Sequence, residues 1–87
     1  MNLKNINITL NGEKYAILAE KSTPIPNRSI CLLSSLNKEQ DYSLWLVEIS
    51  DDEKSMDLRP YEGTDIDDLK KQMLEDFIET AFNEEHQ

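Results

Sequence analysis

Cysteine, glycine, histidine and positive charge are all scarce in this chain of 87 residues. A single cysteine, Cys31, excludes an internal disulfide. The two glycines, Gly12 and Gly63, both sit in turn contexts, so there is no glycine-rich loop to cradle a phosphate. The one histidine, His86, lies next to the last residue, where disorder is expected. That leaves no evident general base for Cys31, Ser34 or Ser35, and the sequence predicts no enzyme and no cofactor. Cys31 itself stands in an apolar run and reads as a small buried hydrophobe. Long hydrophobic runs are missing too, so neither a signal peptide nor a membrane span is expected. The expected home is the cytoplasm, of the host cell if the protein is phage-encoded. The sequons at Asn7-Ile8-Thr9 and Asn27-Arg28-Ser29 are then chance.

Nine basic residues stand against eighteen acidic ones, a net charge of −9. A chain so poor in Lys and Arg is not built to grip nucleic acid or anionic lipid, since phosphate contacts need cations. The imbalance is local. Residues 1–47 carry five basic and four acidic side chains, whereas residues 48–87 carry four basic and fourteen acidic ones.

The length fits one small domain, residues 1–87, with a modest core. Asn5 to Leu10 alternates, with Ile6, Ile8 and Leu10 on one side. Asn11-Gly12 follows, a pair that accepts positive φ and marks a two-residue hairpin turn. This loop length places Leu10 opposite Glu13, Ile8 opposite Tyr15 and Ile6 opposite Ile17. Tyr15, Ile17 and Ala19 are then expected to share the apolar face. Pro24 and Pro26 make 21–28 a loop. The run Ile30-Cys31-Leu32-Leu33 reads as a central strand, although residues 28–40 also admit a short helix. Residues 37–41 read as a polar turn. Tyr42 to Ile49 is rich in β-formers, with Leu44, Leu46 and Ile49 assigned to one side and Trp45 and Val47 to the other. Residues 50–54 turn the chain. Ser55 to Arg59 makes a short edge strand, Met56 and Leu58 inward and Asp57 outward, stopped by Pro60.

Residues 64–83 read as one amphipathic helix. Thr64 is the expected N-cap, with Asp65, Asp67 and Asp68 favourably placed in the helix dipole. At about 100° per residue, Ile66, Leu69, Met73, Leu74, Phe77, Ile78 and Ala81 share the core arc, Lys70 and Thr80 intrude on it, and Phe82 lies off it. Fraying is expected after Phe82, because Glu84 and Glu85 oppose the dipole. The fold class predicted is α+β: an antiparallel sheet of about five strands packed against one C-terminal helix.

The opposite arc holds Asp65, Asp68, Glu75, Asp76 and Glu79 and no cation. Lys71 stands at its margin, within i,i+4 reach of Asp67 and Glu75. A single-signed face is either solvation for an acidic protein or a surface shaped for a basic partner. Asp51, Asp52, Glu53, Asp57 and Glu62 from the preceding segment could extend it. Read as a calcium loop, Asp51, Glu53, Ser55 and Glu62 fall at suitable spacings, but Met56 stands where a glycine is needed and Pro60 interrupts. No metal is assigned.

In size and charge, though in no motif, the chain resembles phage-encoded inhibitors of bacterial defence or DNA-processing enzymes, including anti-CRISPR proteins. That resemblance implies a protein partner with a basic surface, met by carboxylates standing in for phosphates. Its competitor is an interaction module, such as an antitoxin, an immunity protein or an accessory subunit. Such a module would bind through Trp45, Tyr61, Phe82 or an open strand edge. A strand Trp beside Leu residues reads first as core. If instead the Trp45 and Val47 face is open, Trp45 would be an interface anchor that Tyr42 and Tyr61 could ring. Monomer and homodimer both stay open.

Overall fold

A computed structural model describes residues 6–38 and 41–85, with side chains to Asn83. Asn5, Glu39 and His86, which figured in the sequence reading, lie outside the described residues. The hairpin forms in the predicted register. Asn11 and Gly12 take φ of 51° and 82°, as a two-residue turn with left-handed central residues requires. Strand β1 (Asn7–Leu10) pairs with β2 (Glu13–Ser22), with Leu10 opposite Glu13 and Ile8 opposite Tyr15. The Ile17 amide donates to the Ile6 carbonyl at 2.9 Å.

Three further strands follow: β3 (Arg28–Ser35), β4 (Tyr42–Ile49) and β5 (Met56–Pro60). All neighbours are antiparallel and the order across the sheet is the order along the chain. The helical alternative for residues 28–40 is therefore wrong over the described residues 28–38. Four consecutive apolar residues suit a central strand whose two faces are both covered, and β3 is central. The single helix, α1 (Ile66–Glu85), packs on β2, β3 and β4. The protein is an α+β fold, a curled five-stranded sheet with one C-terminal helix.

The curl gives the sheet two cores. On the concave face Ile17, Cys31, Leu33, Val47 and Ile49 are buried, although α1 lies on the other side. Ile8 and Leu10 from edge strand β1, and Leu58 from edge strand β5, pack on this one cluster. Both edge strands thus contribute side chains to the core on the face away from α1. On the convex face Leu32 and Leu44 are buried beneath Leu69 and Met73 of α1, with Tyr42, Tyr61 and Ile66 around them. Each such side chain removed from water contributes about 1.5–3 kcal/mol.

Several expectations fail for identifiable reasons. Ala19 does not share a face with Ile17. Ile17 stands opposite Leu33 and Ala19 opposite Leu32, so Leu18 is one residue too many in β2. This bulge sends Leu18 and Ala19 to the convex core. Ile49 belongs with Trp45 and Val47, not with Leu44, because β4 keeps strict alternation against β3. Met56, expected inward, is 38% exposed at the sheet edge. The helix starts later than read. The Leu69 amide donates to the Asp65 carbonyl at 2.9 Å, which makes Asp65 rather than Thr64 the N-cap. At the other end it continues past Phe82 to Glu85. Ile78, assigned to the core arc, is 57% exposed, because it lies about 140° around α1 from buried Met73, at the arc's margin.

Candidate functional site

The start of α1 is held by a short clasp. The chain leaves β5 at Pro60, and the Tyr61 amide donates to the Leu44 carbonyl at 3.0 Å. The Tyr61 phenol donates to Asp65 Oδ1 at 2.8 Å. Between them, Gly63 lies so close to the Tyr61 ring that a Cβ there would collide with it. That hydrogen bond, followed by desolvation and the Asp65 charge, pushes the Tyr61 phenol above the usual tyrosine range.

From this anchor α1 displays its acidic face. Asp65, Asp68, Glu75, Asp76 and Glu79 are all exposed, as are Gln72 and Asn83 between them. Among the described residues none of these five carboxylates forms an ion pair. Lys71 closes on neither Asp67 nor Glu75. Along the axis, Asp68 and Glu75 are separated by about 10 Å, and Glu75 and Glu79 by about 6 Å. Asp76 also borders a groove of about 300 Å³ between α1 and β2, floored by Leu18, Ala19, Met73 and Phe77 and edged by Lys21.

The remaining acidic candidates lie off the helix itself. Asp51, Asp52 and Glu53 sit in the β4–β5 turn, whereas Glu62 and Asp65 lie beyond the far end of β5. Five strand residues span roughly 17 Å. Sequence alone carries no strand direction that would separate the two groups. Asp57 stands on β5 opposite Glu48. The turn is internally satisfied. Asp52 Oδ1 accepts from the Ser50 hydroxyl at 2.6 Å and from the Lys54 amide at 3.1 Å. These two bonds, in that order, hold the Asp52 carboxyl below its usual range. Asn27 Nδ2 donates to Asp51 Oδ1 at 3.0 Å, tying the turn to the β2–β3 loop. Among the described residues no cluster of three metal-ligating side chains occurs, and the calcium-loop spacing is broken because β5 separates Asp51 from Glu62.

Trp45 is half-buried on the concave face, its Nε1 donating to Ser43 Oγ at 3.0 Å. Tyr42 and Tyr61 pack on the convex core, so they do not ring Trp45. Cys31 is fully buried; desolvation and then the Glu20 carboxylate push its thiol up to about 12. One feature escaped the sequence reading: the clasp formed by Tyr61, Gly63 and Asp65. The spacing of a glycine between an aromatic and an acid was the available signal.

The fold and its surface define a small acidic α+β protein whose exposed helix face carries charge of one sign. No protein-family model matches the chain, and no curated protein or solved structure matches it. Among the described residues no helix is long and apolar enough to cross a membrane.

Proposed function

We propose that this protein is a non-enzymatic inhibitor of the phage or mobile-element type. It acts in the host cytoplasm by occupying the basic surface with which a host enzyme handles nucleic acid. An anti-CRISPR or other anti-defence role belongs to this class. The observation that carries the reading is the row Asp68, Glu75, Asp76 and Glu79, exposed on one rigid helix and free of ion pairs among the described residues. Lys and Arg that grip a phosphate backbone meet carboxylates at comparable spacing, with their hydrogen-bonding capacity intact. The clasp at Tyr61 and Asp65 fixes where the row begins. The β4–β5 turn, satisfied within itself, contributes less than the helix.

The test uses immobilised duplex DNA loaded with host lysate. The protein should displace a discrete polypeptide from it. The triple variant Asp68→Lys, Glu75→Lys, Glu79→Lys should not. Displacement by both forms alike, or by neither, sinks the reading. A second reading, an apolar interaction module such as an antitoxin or accessory subunit, is favoured by Ile78 and Phe82, which are 57% and 59% exposed. Salt separates the two: carboxylate-driven binding weakens steeply as ionic strength rises, and apolar binding does not.

A further inference from the structure

We propose that the open edge of β5 pairs with the same edge of a second copy of this chain, making a symmetric dimer with one continuous sheet. β5 ends the strand order, and α1 packs on β2, β3 and β4. Among the described residues neither a strand nor the helix covers this edge. Its backbone phase is fixed by the bonds on either side of it. The Tyr61 amide donates to the Leu44 carbonyl and the Ser50 amide to the Ser55 carbonyl, which places the odd-numbered residues of β5 in the ladder with β4. Met56, Leu58 and Pro60 therefore turn their backbone groups outward. Among the described residues the Met56 and Leu58 amides have no acceptor. An open row of this kind is a template for another strand.

Charge selects both the occupant and the register. Leu58 packs on the Ile17 cluster, so its neighbours Asp57 and Arg59 stand on the face that carries α1, and both are exposed. Among the described residues neither forms an ion pair. Asp57 lies opposite Glu48, whose cation is Arg28. When two such edges meet antiparallel with Leu58 opposite Leu58, Asp57 of each copy comes opposite Arg59 of the other. These are non-hydrogen-bonded pairs, the closer kind, with Cα atoms about 4.5 Å apart. Leu58 exchanges amide and carbonyl bonds with its counterpart, and each Met56 amide donates to the Pro60 carbonyl of the second copy. On the other face Met56, 38% exposed, meets Pro60. The next register either way sets Asp57 against Asp57 or Arg59 against Arg59. Charges and proline ordinarily deter pairing at an edge. Here their order about Leu58 deters the neighbouring registers and favours this one. The same register sets Lys54 against Glu62 of the second copy, which offsets part of the repulsion from Asp52 and Glu53. The pairing uses none of the carboxylates of α1, so it stands or falls apart from the proposed inhibitor role.

The test is sedimentation equilibrium of the full chain from about 10 µM to about 1 mM, with backbone hydrogen exchange measured over the same range. The wild type should shift toward dimer as concentration rises, and the Met56 and Leu58 amides should exchange more slowly in step. Asp57→Arg and Arg59→Asp, both at exposed side chains, should each weaken self-association about tenfold or more, since each sets like charges opposite one another. An equimolar mixture of the two variants should recover it as a heterodimer, because one copy then supplies both cations and the other both anions. A wild type that stays monomeric at about 1 mM overturns the proposal. So does a dimer that the single variants leave intact, or a pair of folded variants whose mixture stays monomeric. Should either variant fail to fold, the exchange data on the wild type decide. Met56 and Leu58 amides indifferent to concentration overturn the pairing, and a dimer that forms without protecting them has its interface elsewhere and overturns it too.

Discussion

Tyr61 and Asp65 are joined phenol to carboxylate at 2.8 Å, one turn apart across the start of α1. The same Asp65 supplies the carbonyl that opens the helix ladder, so one residue fixes both the first turn and the aromatic ring against it. The acidic strip is aimed by this joint, which gives it consequences that can be measured.

The bond favours the neutral phenol, so the Tyr61 midpoint in the folded protein is raised by that bond first and by desolvation next. Its contribution is intact below the unfolded tyrosine value of about 10 and is lost as pH rises through the folded value. With Tyr15→Phe and Tyr42→Phe in place, Tyr61 is the sole tyrosine and its absorbance titration can be read alone. Asp65→Asn should lower the midpoint. Gly63→Ala, which forces the ring off its seat, should lower it as well. A midpoint indifferent to both changes refutes the clasp.

Leu32 and Leu33 are consecutive and both fully buried, one on the convex core and one on the concave. Leu32→Ala and Leu33→Ala should therefore each cost about 2–5 kcal/mol in urea melts. Against a total of about 5–15 kcal/mol, either change leaves the domain marginal. A cost below about 1 kcal/mol for one of them would mean that its face is not a core.

The pair also shows why the sequence was readable only in part. Alternation and turn chemistry both act over neighbouring residues, so they located β1, β2, the register of their hairpin and the succession of five strands along the chain. The bulge at Leu18 was invisible, since an extra residue shows only against the partner strand. Ile78 satisfied the helical period as well as Met73 does. What separates them is which part of the apolar arc the sheet covers, which no local pattern records. The same limit applied to the acidic candidates. Composition identified Asp51, Asp52 and Glu53 along with Asp68 and Glu79, but only the course of β5 shows that the β4–β5 turn and the start of α1 stand at opposite ends of a strand.

Cys31 is closed off by packing on the concave face, and its thiol, pushed up to about 12 by burial and then by Glu20, stays protonated at neutral pH. Since the thiolate is the reactive species, a thiol reagent at neutral pH should label the protein only at the rate of unfolding. Denaturant should release full reactivity. The stability held by the neutral thiol is present below the unfolded cysteine value and declines as pH rises toward the folded one. Prompt labelling of the native protein would show that the packing around Cys31 does not seal its thiol.

The acidic face should make itself felt in stability even without a partner. Glu75 and Glu79 are about 6 Å apart along the axis, inside a Debye length of about 8–10 Å at ordinary salt. Neither forms an ion pair among the described residues, so their repulsion is unrelieved. A like-charged i,i+4 pair costs a few tenths of a kcal/mol, and for a domain of this size about 1 kcal/mol corresponds to roughly 4–8 °C. Added salt should therefore raise the melting temperature of the wild type. At low salt Glu79→Gln should raise it by about 1–3 °C, an advantage that fades as salt is added. Glu48→Gln should act in the opposite sense, because Glu48 Oε2 accepts from Arg28 Nη2 at 2.7 Å and from Nε at 3.2 Å. If melting is flat in salt, or if Glu79→Gln and Glu48→Gln shift it in the same direction, the carboxylates of α1 are too well solvated to sense one another. A strip that weak could not register with the cations of a basic surface.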